Sequence, residues 1–327
     1  MTPSADDRPT IKLNWYLIGA LFIAVVAAWP LISGGGLINT RGGGDSPFLL
    51  QRLHQLEQAI LDGHFPVRWM GDANYGYGYP FFNFYAPFAF YIAFLYRLFG
   101  VSFVQAIHLS QLTAFLVAAW GSFSLAQRWY RRDWVALVVS AAYTTAPFHL
   151  VNVYVRGDSI AEFWAMAFYP LVILAADRLL SADSLRGRFG VSWLNGIGWL
   201  GLAYGGLILS HNISAMIFSP FVVLFALCRL APTFLKTNGQ PRSTTARLYS
   251  ILPQLSLLVT ALLVGMAVSA WFWLPALGER HLTSIADMTV GYFNYRYKNG
   301  LHFRSTDLVQ ASLFFDWANM VEAKPMA

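Results

Sequence analysis

The chain contains 327 residues, of which 57% are hydrophobic, 17% aromatic and only 12% charged, and its formal net charge is +6. Soluble domains carry about 25% charged residues, so this composition excludes an ordinary soluble protein and predicts a polytopic membrane protein. Lysine and arginine concentrate in short loops between apolar runs, where such residues set membrane orientation. The positive charge therefore predicts a topology and no nucleic-acid partner.

An all-α membrane fold is predicted by about eight apolar segments of helical length, since the alternating pattern of a β-barrel is absent. These segments comprise residues 15–33, 80–96, 98–127, 134–155, 160–176, 189–210, 213–228 and 248–278. The first is interpreted as a retained helix, because Asp6 and Asp7 precede it and no small-residue cleavage pattern follows it. The lone cysteine, Cys228, excludes an internal disulfide framework.

The predicted organisation has three parts. Residues 1–14 are predicted to form a cytoplasmic tail. Residues 15–278 are predicted to form the transmembrane domain, with a first outside loop at 34–80. The polar and aromatic residues 279–327 are interpreted as an outside segment that begins a further region.

Two basic loops, 181–188 and 229–247, set the predicted orientation, because the positive-inside rule places them in the cytoplasm. The basic cluster 128–132 raises a parity question, since two apolar segments separate it from the first outside loop. Either 80–97 is re-entrant, which we favour, or the cluster lies outside against the rule. The predicted orientation brings most candidate functional residues to the outer face, namely Asp45, Arg156, Asp158, Glu162, His211, Asn212 and Arg280.

The first outside loop begins with a candidate carboxylate and a predicted amphipathic helix. After Asp45, leucines and an isoleucine recur at helical spacing over 47–61, and Gly63 can end the helix. Asp45 is interpreted either as a helix cap or as a reactive carboxylate at the membrane surface. The apolar stripe predicts an interfacial helix. The tyrosines and phenylalanines of 75–85 are typical of an interfacial aromatic belt, with a sugar-stacking surface as the alternative.

Arg156, Asp158 and Glu162 form a second candidate site. Asp158 and Glu162 are four residues apart, so they share a face of a helix that begins at Asp158. Arg156 suits bidentate contact with a phosphate. Ser159 and Glu162 also match a capping box, which is the structural alternative for Glu162.

His211 and Asn212 interrupt what would otherwise be one apolar stretch. We interpret this pair either as a helix end or, with Arg280, as part of a phosphate-binding rim. The sequence contains no HExxH, GxSxG or Walker motif and no cysteine–histidine metal spacing. Zinc proteolysis and aqueous nucleotide hydrolysis therefore have no support.

Three stretches carry a resemblance: GYGYPFFNFYAP at 76–87, RGDSIAEFWAMAFYP at 156–170 and LSHN at 209–212. With an acidic residue after the first helix, they make the chain resemble the GT-C superfamily of polytopic glycosyltransferases over roughly residues 15–282. More narrowly, the chain looks like a family of uncharacterised bacterial membrane proteins labelled "6-pyruvoyl-tetrahydropterin synthase-related". Nothing in the sequence supplies the three-histidine zinc site of the soluble pterin enzyme.

The resemblance implies a plasma-membrane glycosyltransferase that moves a sugar from a polyprenyl phosphate to an acceptor at the outer leaflet. It implies that Asp45 deprotonates or orients the acceptor. The first-loop acid of the superfamily is often part of an acidic pair, whereas Ser46 follows Asp45 here. This departure weakens the case for a metal-binding role. The sequence leaves the identity of the cofactor open, with a divalent metal as one option.

The resemblance also implies roles for the second site. Asp158 or Glu162 would be the second acidic residue, and Arg156 would hold the lipid phosphate with Arg280 or His211 as a helper. A phosphate leaves readily once a cation matches its charge, and a nearby carboxylate can take the proton of the acceptor hydroxyl. Two alternatives remain open: a transporter or flippase of a lipid-linked or anionic substrate, and a non-catalytic membrane scaffold.

Overall fold

A computed structural model describes residues 13–37, 46–157, 159–181, 191–235 and 244–284. Within these ranges every regular element is a helix, and one isolated β-bridge joins Met70 to Tyr79. The all-α prediction is therefore confirmed for the described part of the chain. Asp45 and Asp158 lie outside it.

The described helices are numbered here in chain order: α1 Trp15–Ala27, α2 Trp29–Ser33, α3 Ser46–Leu61, α4 Phe81–Phe84, α5 Phe88–Arg97, α6 Phe103–Tyr130, α7 Asp133–Thr144, α8 Pro147–Leu150, α9 Ile160–Leu179, α10 Val191–Ser210, α11 Asn212–Leu235, α12 Thr244–Val268 and α13 Ala270–Gly278. A π-helical turn, Val151–Arg156, follows α8. Short 3₁₀ turns lie at Asn74–Gly76 and Arg280–Leu282.

Four of the described helices are long and apolar enough to cross a membrane, namely Phe103–Tyr130, Ile160–Leu179, Asn212–Pro232 and Ile251–Val268. A fifth candidate is the pair Asp133–Thr144 and Pro147–Arg156, which is bent by 43° at its break. The apolar helices α1 and α5 are shorter than the roughly 20 residues that a span needs. The chain is therefore a membrane protein, while the predicted count of about eight spans is not confirmed.

Local hydrogen bonds fix the ends of α6, the longest described helix. Ser102 and Gln105 form a capping box at its start, with bonds of 3.0 and 3.3 Å. At its end Arg131 adopts a left-handed conformation, with a φ of 54°, which stops the helix. The carboxylate of Asp133 then accepts hydrogen bonds from Gln127 (2.7 Å) and from Asn14 (3.2 Å). The end of α6 and the starts of α1 and α7 therefore meet at one face of the bundle.

A buried carboxylate joins three helix ends at this same face. Asp177, near the end of α9, accepts hydrogen bonds from Arg128 of α6 and from Arg229 of α11, the latter at 2.7 Å. Arg131 lines one cavity together with Arg128, Asp177 and Arg229. We call the surface around Arg128, Arg131 and Arg229 the basic face. The loop predicted at 229–247 begins later than expected, since α11 continues through Arg229 to Leu235. Because Arg128 and Arg229 share a partner, the cluster 128–132 lies at the same face as this end of α11, as the favoured orientation requires.

The segment 80–97 enters the bundle and returns. At the start of α5, Phe88 packs edge-on against Trp164 and Phe168, which lie one and two turns into α9. At its end, Arg97 pairs with Glu57 of the loop helix α3 at 2.9 Å. A ten-residue helix is about 15 Å long, about half the hydrocarbon thickness of a bilayer. This geometry agrees with the re-entrant alternative for 80–97.

The predicted helix of the first loop is present as α3, and Gly63 follows it with a φ of +84°. Its apolar stripe differs from the prediction. Leu49, Leu53 and Leu56 are fully buried against other parts of the protein, because α3 packs on α5 and α6. The stripe of this predicted interfacial helix is therefore covered by protein and is not turned toward lipid.

Close backbone contact joins α10 to α12. A Cβ atom placed on Gly265 would lie 2.8 Å from the carbonyl oxygen of Gly201, and one on Gly205 would lie 3.0 Å from the carbonyl oxygen of Gly265. Small residues let membrane helices approach closely enough for van der Waals packing to hold them. These glycines therefore fix α10, and with it the His211 turn that follows, against α12.

The chain divides into two compact units, Met1–Trp273 and Leu274–Ala327. The first contains the helical bundle described above. Of the second, the described part comprises the end of α13 and the 3₁₀ turn at Arg280–Leu282. Each unit is described by itself.

Candidate functional site

The site is built around the turn between α8 and α9. The chain leaves α8 through the π-helical turn Val151–Arg156, and Gly157 follows with a φ of +70°. Glycine adopts this conformation without the steric cost of a Cβ atom, so the chain can reverse before α9 begins. Single π turns often occur at functional sites. The reversal places the last residue of one helical stretch beside the first turn of the next.

Arg156 is held by two partners across this reversal. Its Nη1 donates to the Oδ1 of Asn152 (2.9 Å) and to the Oε2 of Glu162 (2.6 Å). The side chains of Arg156 and Glu162 are 34% and 22% exposed, so the pair is neither sealed nor fully solvated. Both hydrogens of Nη1 are used, whereas Nε and Nη2 donate to no described residue. Those nitrogens can still contact a phosphate or carboxylate side by side.

The capping-box interpretation of Glu162 is wrong in its side-chain part. Ser159 is the residue before α9, yet its side chain makes no cap hydrogen bond to the helix. Glu162 instead pairs with Arg156. Its position in the first turn of α9 also suits the positive end of the helix dipole. Glu162 therefore orients Arg156.

His211 lies between α10 and α11. Its Nδ1 accepts a hydrogen bond from the backbone N–H of Ser214 (3.2 Å), and the Oγ of Ser214 lies 2.7 Å from the same nitrogen. A ring nitrogen that accepts from an amide carries no proton, so neutral His211 has its proton on Nε2. Burial lowers the pKa of His211, Glu162 raises it and Arg156 lowers it, in that order of size. His211 is therefore within electrostatic reach of the Arg156–Glu162 pair, with one N–H left to donate.

Asn212 and Arg280 are the other two predicted phosphate-binding residues. Asn212 is exposed at the start of α11, where its Oδ1 accepts from the backbone N–H of Ile213 (3.0 Å). Arg280 belongs to the second unit and is exposed in its 3₁₀ turn. Within the first unit the structure thus brings together Arg156, Glu162 and His211.

The predicted acids Asp45 and Asp158 lie outside the described residues, but segments next to them meet. Leu49, in the first turn of α3, and Gly157, directly before Asp158, line the same small cavity. The first-loop helix therefore begins beside the α8–α9 turn. The described residues that lie four positions after Asp45 and one position before Asp158 are therefore neighbours in the fold.

Sequence reasoning missed three buried polar residues near the site. Asn152 holds Arg156, and His108 and Gln111 of α6 line the cavity between α3 and Gly157. A signal was present in each case. Asn152 precedes Arg156 by one helical turn, and His108 and Gln111 are three residues apart, hence on one helix face. Polar side chains at such depth are costly unless they serve a purpose.

No group of three or more histidine, cysteine, aspartate or glutamate side chains that could hold a metal ion occurs among the described residues. Asp45 and Asp158 lie outside these residues. The described site has two donors, the guanidinium of Arg156 and the Nε2–H of His211, and one acceptor, the carboxylate of Glu162, which already accepts from Arg156. This set matches an anionic group such as a phosphate better than it matches a cation.

The aromatic run 75–85 divides into two parts. Tyr75 and Tyr77 are 98% and 84% exposed. Phe82 is buried, and Phe81 stacks on Tyr85 with ring centroids 4.6 Å apart. The first part is a free aromatic surface on the loop, and the second is packed inside the bundle.

No protein-family model matches the chain, and no solved structure matches it. The chain is similar to an uncharacterized protein of Lactococcus lactis subsp. cremoris (strain MG1363), with 25% identity over 223 residues. The similarity covers 66% of this chain and 33% of that protein, so the chain matches about a third of the length of this relative.

Proposed function

We propose that this chain is a multi-pass plasma-membrane glycosyltransferase of the GT-C type, which moves a sugar from a polyprenyl phosphate to an acceptor hydroxyl. The observation that carries the proposal is the convergence of Arg156, Glu162 and His211 at the face opposite the basic face. Such groups at the ends of apolar helices are functional candidates. The positive-inside rule supports placing this site at the outer leaflet.

The described residues supply the phosphate contacts of the proposed reaction. The Nε and Nη2 of Arg156 hold two phosphate oxygens, and the Nε2–H of His211 donates to a third position. As the bond between the anomeric carbon and the phosphate oxygen breaks, its electron pair stays on the phosphate. The fixed positive charge of Arg156 stabilises that developing negative charge without reorganisation. Glu162 and Asn152 keep the guanidinium in place before the donor binds.

A carboxylate completes the reaction. The acceptor oxygen forms the new bond to the anomeric carbon, and its proton passes to a base. We assign that base to Asp45, with Asp158 as the second acid. The proximity of Leu49 to Gly157 supports this assignment, because these described residues, four positions after Asp45 and one before Asp158, line one cavity.

The test replaces Asp45 by asparagine, which keeps the shape and removes the base. Purified Asp45→Asn protein should insert and fold like the parent chain while sugar transfer from a polyprenyl-phosphate sugar is lost. Glu57→Gln is the matched control, because Glu57 lies on the same loop as Asp45, pairs with Arg97 at the end of α5 and should be dispensable for transfer. Full activity in Asp45→Asn would refute the proposal.

One observation favours transport as a second candidate. The α7–α8 pair is broken and bent, and Thr144 Oγ1 and His149 Nδ1 are buried at this break without a hydrogen-bond partner among the described residues. Broken helices with unsatisfied polar groups often line transport pathways. If the protein moves a labelled lipid phosphate across the bilayer of proteoliposomes without changing it covalently, the result would favour the transporter over the glycosyltransferase.

A further inference from the structure

A polar cleft lies on the first loop, beside the second half of α3. Its volume is about 490 Å³, within the range of small-molecule sites. Neither the Arg156 site nor the basic face shares a described residue with it. Besides the buried Gln55, the polar side chains and the one indole that line it are Gln58, Asp62, His64, Arg68, Trp69 and Asp72.

The indole of Trp69 is a preformed platform in this cleft. Trp69 is 51% exposed, although the backbone on both sides of it is fixed. Met70 and Tyr79 exchange two backbone hydrogen bonds of 2.8 and 3.0 Å. Gly78 has a φ of +81°, and a Cβ there would lie 2.0 Å from Trp69 Nε1. The loop therefore packs closely on the Nε1 edge of the indole, while about half of the side-chain surface stays exposed.

One acid of the cleft is also preformed. The buried side chain of Gln55 donates to Asp72 Oδ2 (2.9 Å), and its Oε1 accepts from the Asp72 backbone N–H (2.9 Å). These two bonds orient the carboxylate from α3. The side chains of Asp62, His64 and Arg68 form no hydrogen bond to another described residue. The cleft thus offers oriented and available donors and acceptors around an aromatic surface.

The charge of the cleft selects among ligands. Two carboxylates, Asp62 and Asp72, and one guanidinium, Arg68, give a formal charge of −1 with His64 neutral. An anionic headgroup or phosphate would meet net repulsion here. Vicinal hydroxyl groups suit carboxylate, amide and guanidinium side chains, which donate and accept in pairs. The C–H face of a sugar ring can pack on the apolar surface of an indole.

We infer that this cleft binds a neutral saccharide. We assign this saccharide as the acceptor of sugar transfer, and this assignment rests on the proposed function. Binding of the saccharide to the cleft does not require that transfer takes place. From Leu49, beside the transfer site, to Gln58, in the cleft, α3 runs nine residues, or about 13 Å at 1.5 Å per residue. The cleft therefore holds a sugar some distance away from the reacting hydroxyl.

The test measures binding of neutral trisaccharides built from glucose, galactose or N-acetylglucosamine to the purified full chain, by saturation-transfer NMR and calorimetry. At least one should bind to the parent chain, and Trp69→Ala should weaken it by about tenfold or more. Trp134→Ala, which removes an exposed tryptophan of α7, is the matched control and should bind normally. Asp62→Asn should also weaken binding. Because Asp62 is exposed, this variant should fold normally and tests the cleft even if Trp69→Ala misfolds.

The inference would be overturned if no trisaccharide binds, if Trp69→Ala binds as well as the parent chain, or if inorganic phosphate binds the cleft in preference. The inference would also be overturned if phosphatidylglycerol vesicles protected Trp69 from a soluble quencher to the same degree with and without saccharide. That result would assign the exposed surface of Trp69 to contact with the membrane. Asp45→Asn separates this inference from the proposed function. That variant should bind the trisaccharide normally, so loss of transfer and loss of binding are independent outcomes.

Discussion

Arg156 and Glu162 are joined by a 2.6 Å hydrogen bond across a π-helical turn and a glycine. The bond links the end of the π-helical turn Val151–Arg156 to the first turn of α9. Because Asn152 holds the same Nη1, the guanidinium is oriented from two sides. A cation held in this way is preorganised for an anion, which is what a phosphate leaving group requires.

Replacing Glu162 by glutamine should lower sugar transfer about tenfold, equivalent to about 1.4 kcal/mol in the barrier. The change keeps the size of the side chain and removes the charge that orients Arg156. Stability should change by less than about 1 kcal/mol, because partly exposed ion pairs contribute little. Steady-state kinetics and thermal unfolding in detergent measure the two effects. The ion pair of Glu57 with Arg97 provides the control, and an equal loss of transfer in Glu57→Gln would contradict the assignment.

Protonation of His211 should destabilise the fold at mildly acidic pH. Its pKa is lowered from the ordinary value of 6.5, chiefly by burial, so below pH 6.5 the unfolded chain binds a proton that the folded chain does not. Stability from this residue is therefore complete above pH 6.5 and falls as the pH drops toward the folded pKa. Asparagine at 211 can accept from Ser214 and does not titrate. The Tm difference between the parent chain and His211→Asn should shrink on going from pH 7.5 to 5.5, by an amount on the order of 2 °C. A pH-independent difference would be inconsistent with a buried neutral imidazole.

Enlarging Gly265 should loosen α12 from α10. A Cβ there would lie 2.8 Å from a backbone oxygen of Gly201, which cannot rotate away. Gly265→Val should therefore lower the Tm by several degrees, since overpacking costs about 1–3 kcal/mol. Gly198 provides the control within α10, because a Cβ at that position meets no atom within 4 Å. If Gly198→Ala and Gly265→Val had equal effects, close helix packing would not be the cause.

The proposed orientation can be tested with the single cysteine. Cys228 is exposed and lines the cavity of the basic face, whereas Tyr75 is almost fully exposed on the first loop. A membrane-impermeant maleimide should label Tyr75→Cys in a Cys228→Ser background in intact cells. It should label Cys228 of the parent chain only after the cells are made permeable. The reverse pattern would place the basic face outside.

Several features of the fold follow from local sequence. The helix expected over 47–61 is present as α3, because its apolar spacing and Gly63 are local signals. The sequence could not show what covers the apolar stripe, since burial against α5 and α6 depends on packing between distant segments. Similarly, the run 134–155 reads as one apolar segment, yet it breaks before Pro147, where the residue preceding proline disfavours a helical conformation.

The residues of the described site could be predicted from the sequence, whereas their hydrogen-bond partners could be predicted less well. Arg156, Glu162 and His211 are polar residues in apolar surroundings, which is why they were found. The capping pattern at Ser159 favoured a local role for Glu162, but the reversal at Gly157 offers it Arg156 instead. Asn152 was overlooked because an amide inside an apolar run is a weak signal. The positions of Asp45 and Asp158 lie outside the described residues, so their roles stay predictions.

The burial of α3 has a consequence for substrate length. A loop helix that floated in the membrane interface could rise and fall, and a ligand on it would have no fixed position. Leu53 and Leu56 bury α3 against the bundle, so this helix of the first loop has a fixed position. If the Trp69 cleft binds the acceptor, as we infer, only an acceptor long enough to reach from the cleft to the α8–α9 turn would contact both sites.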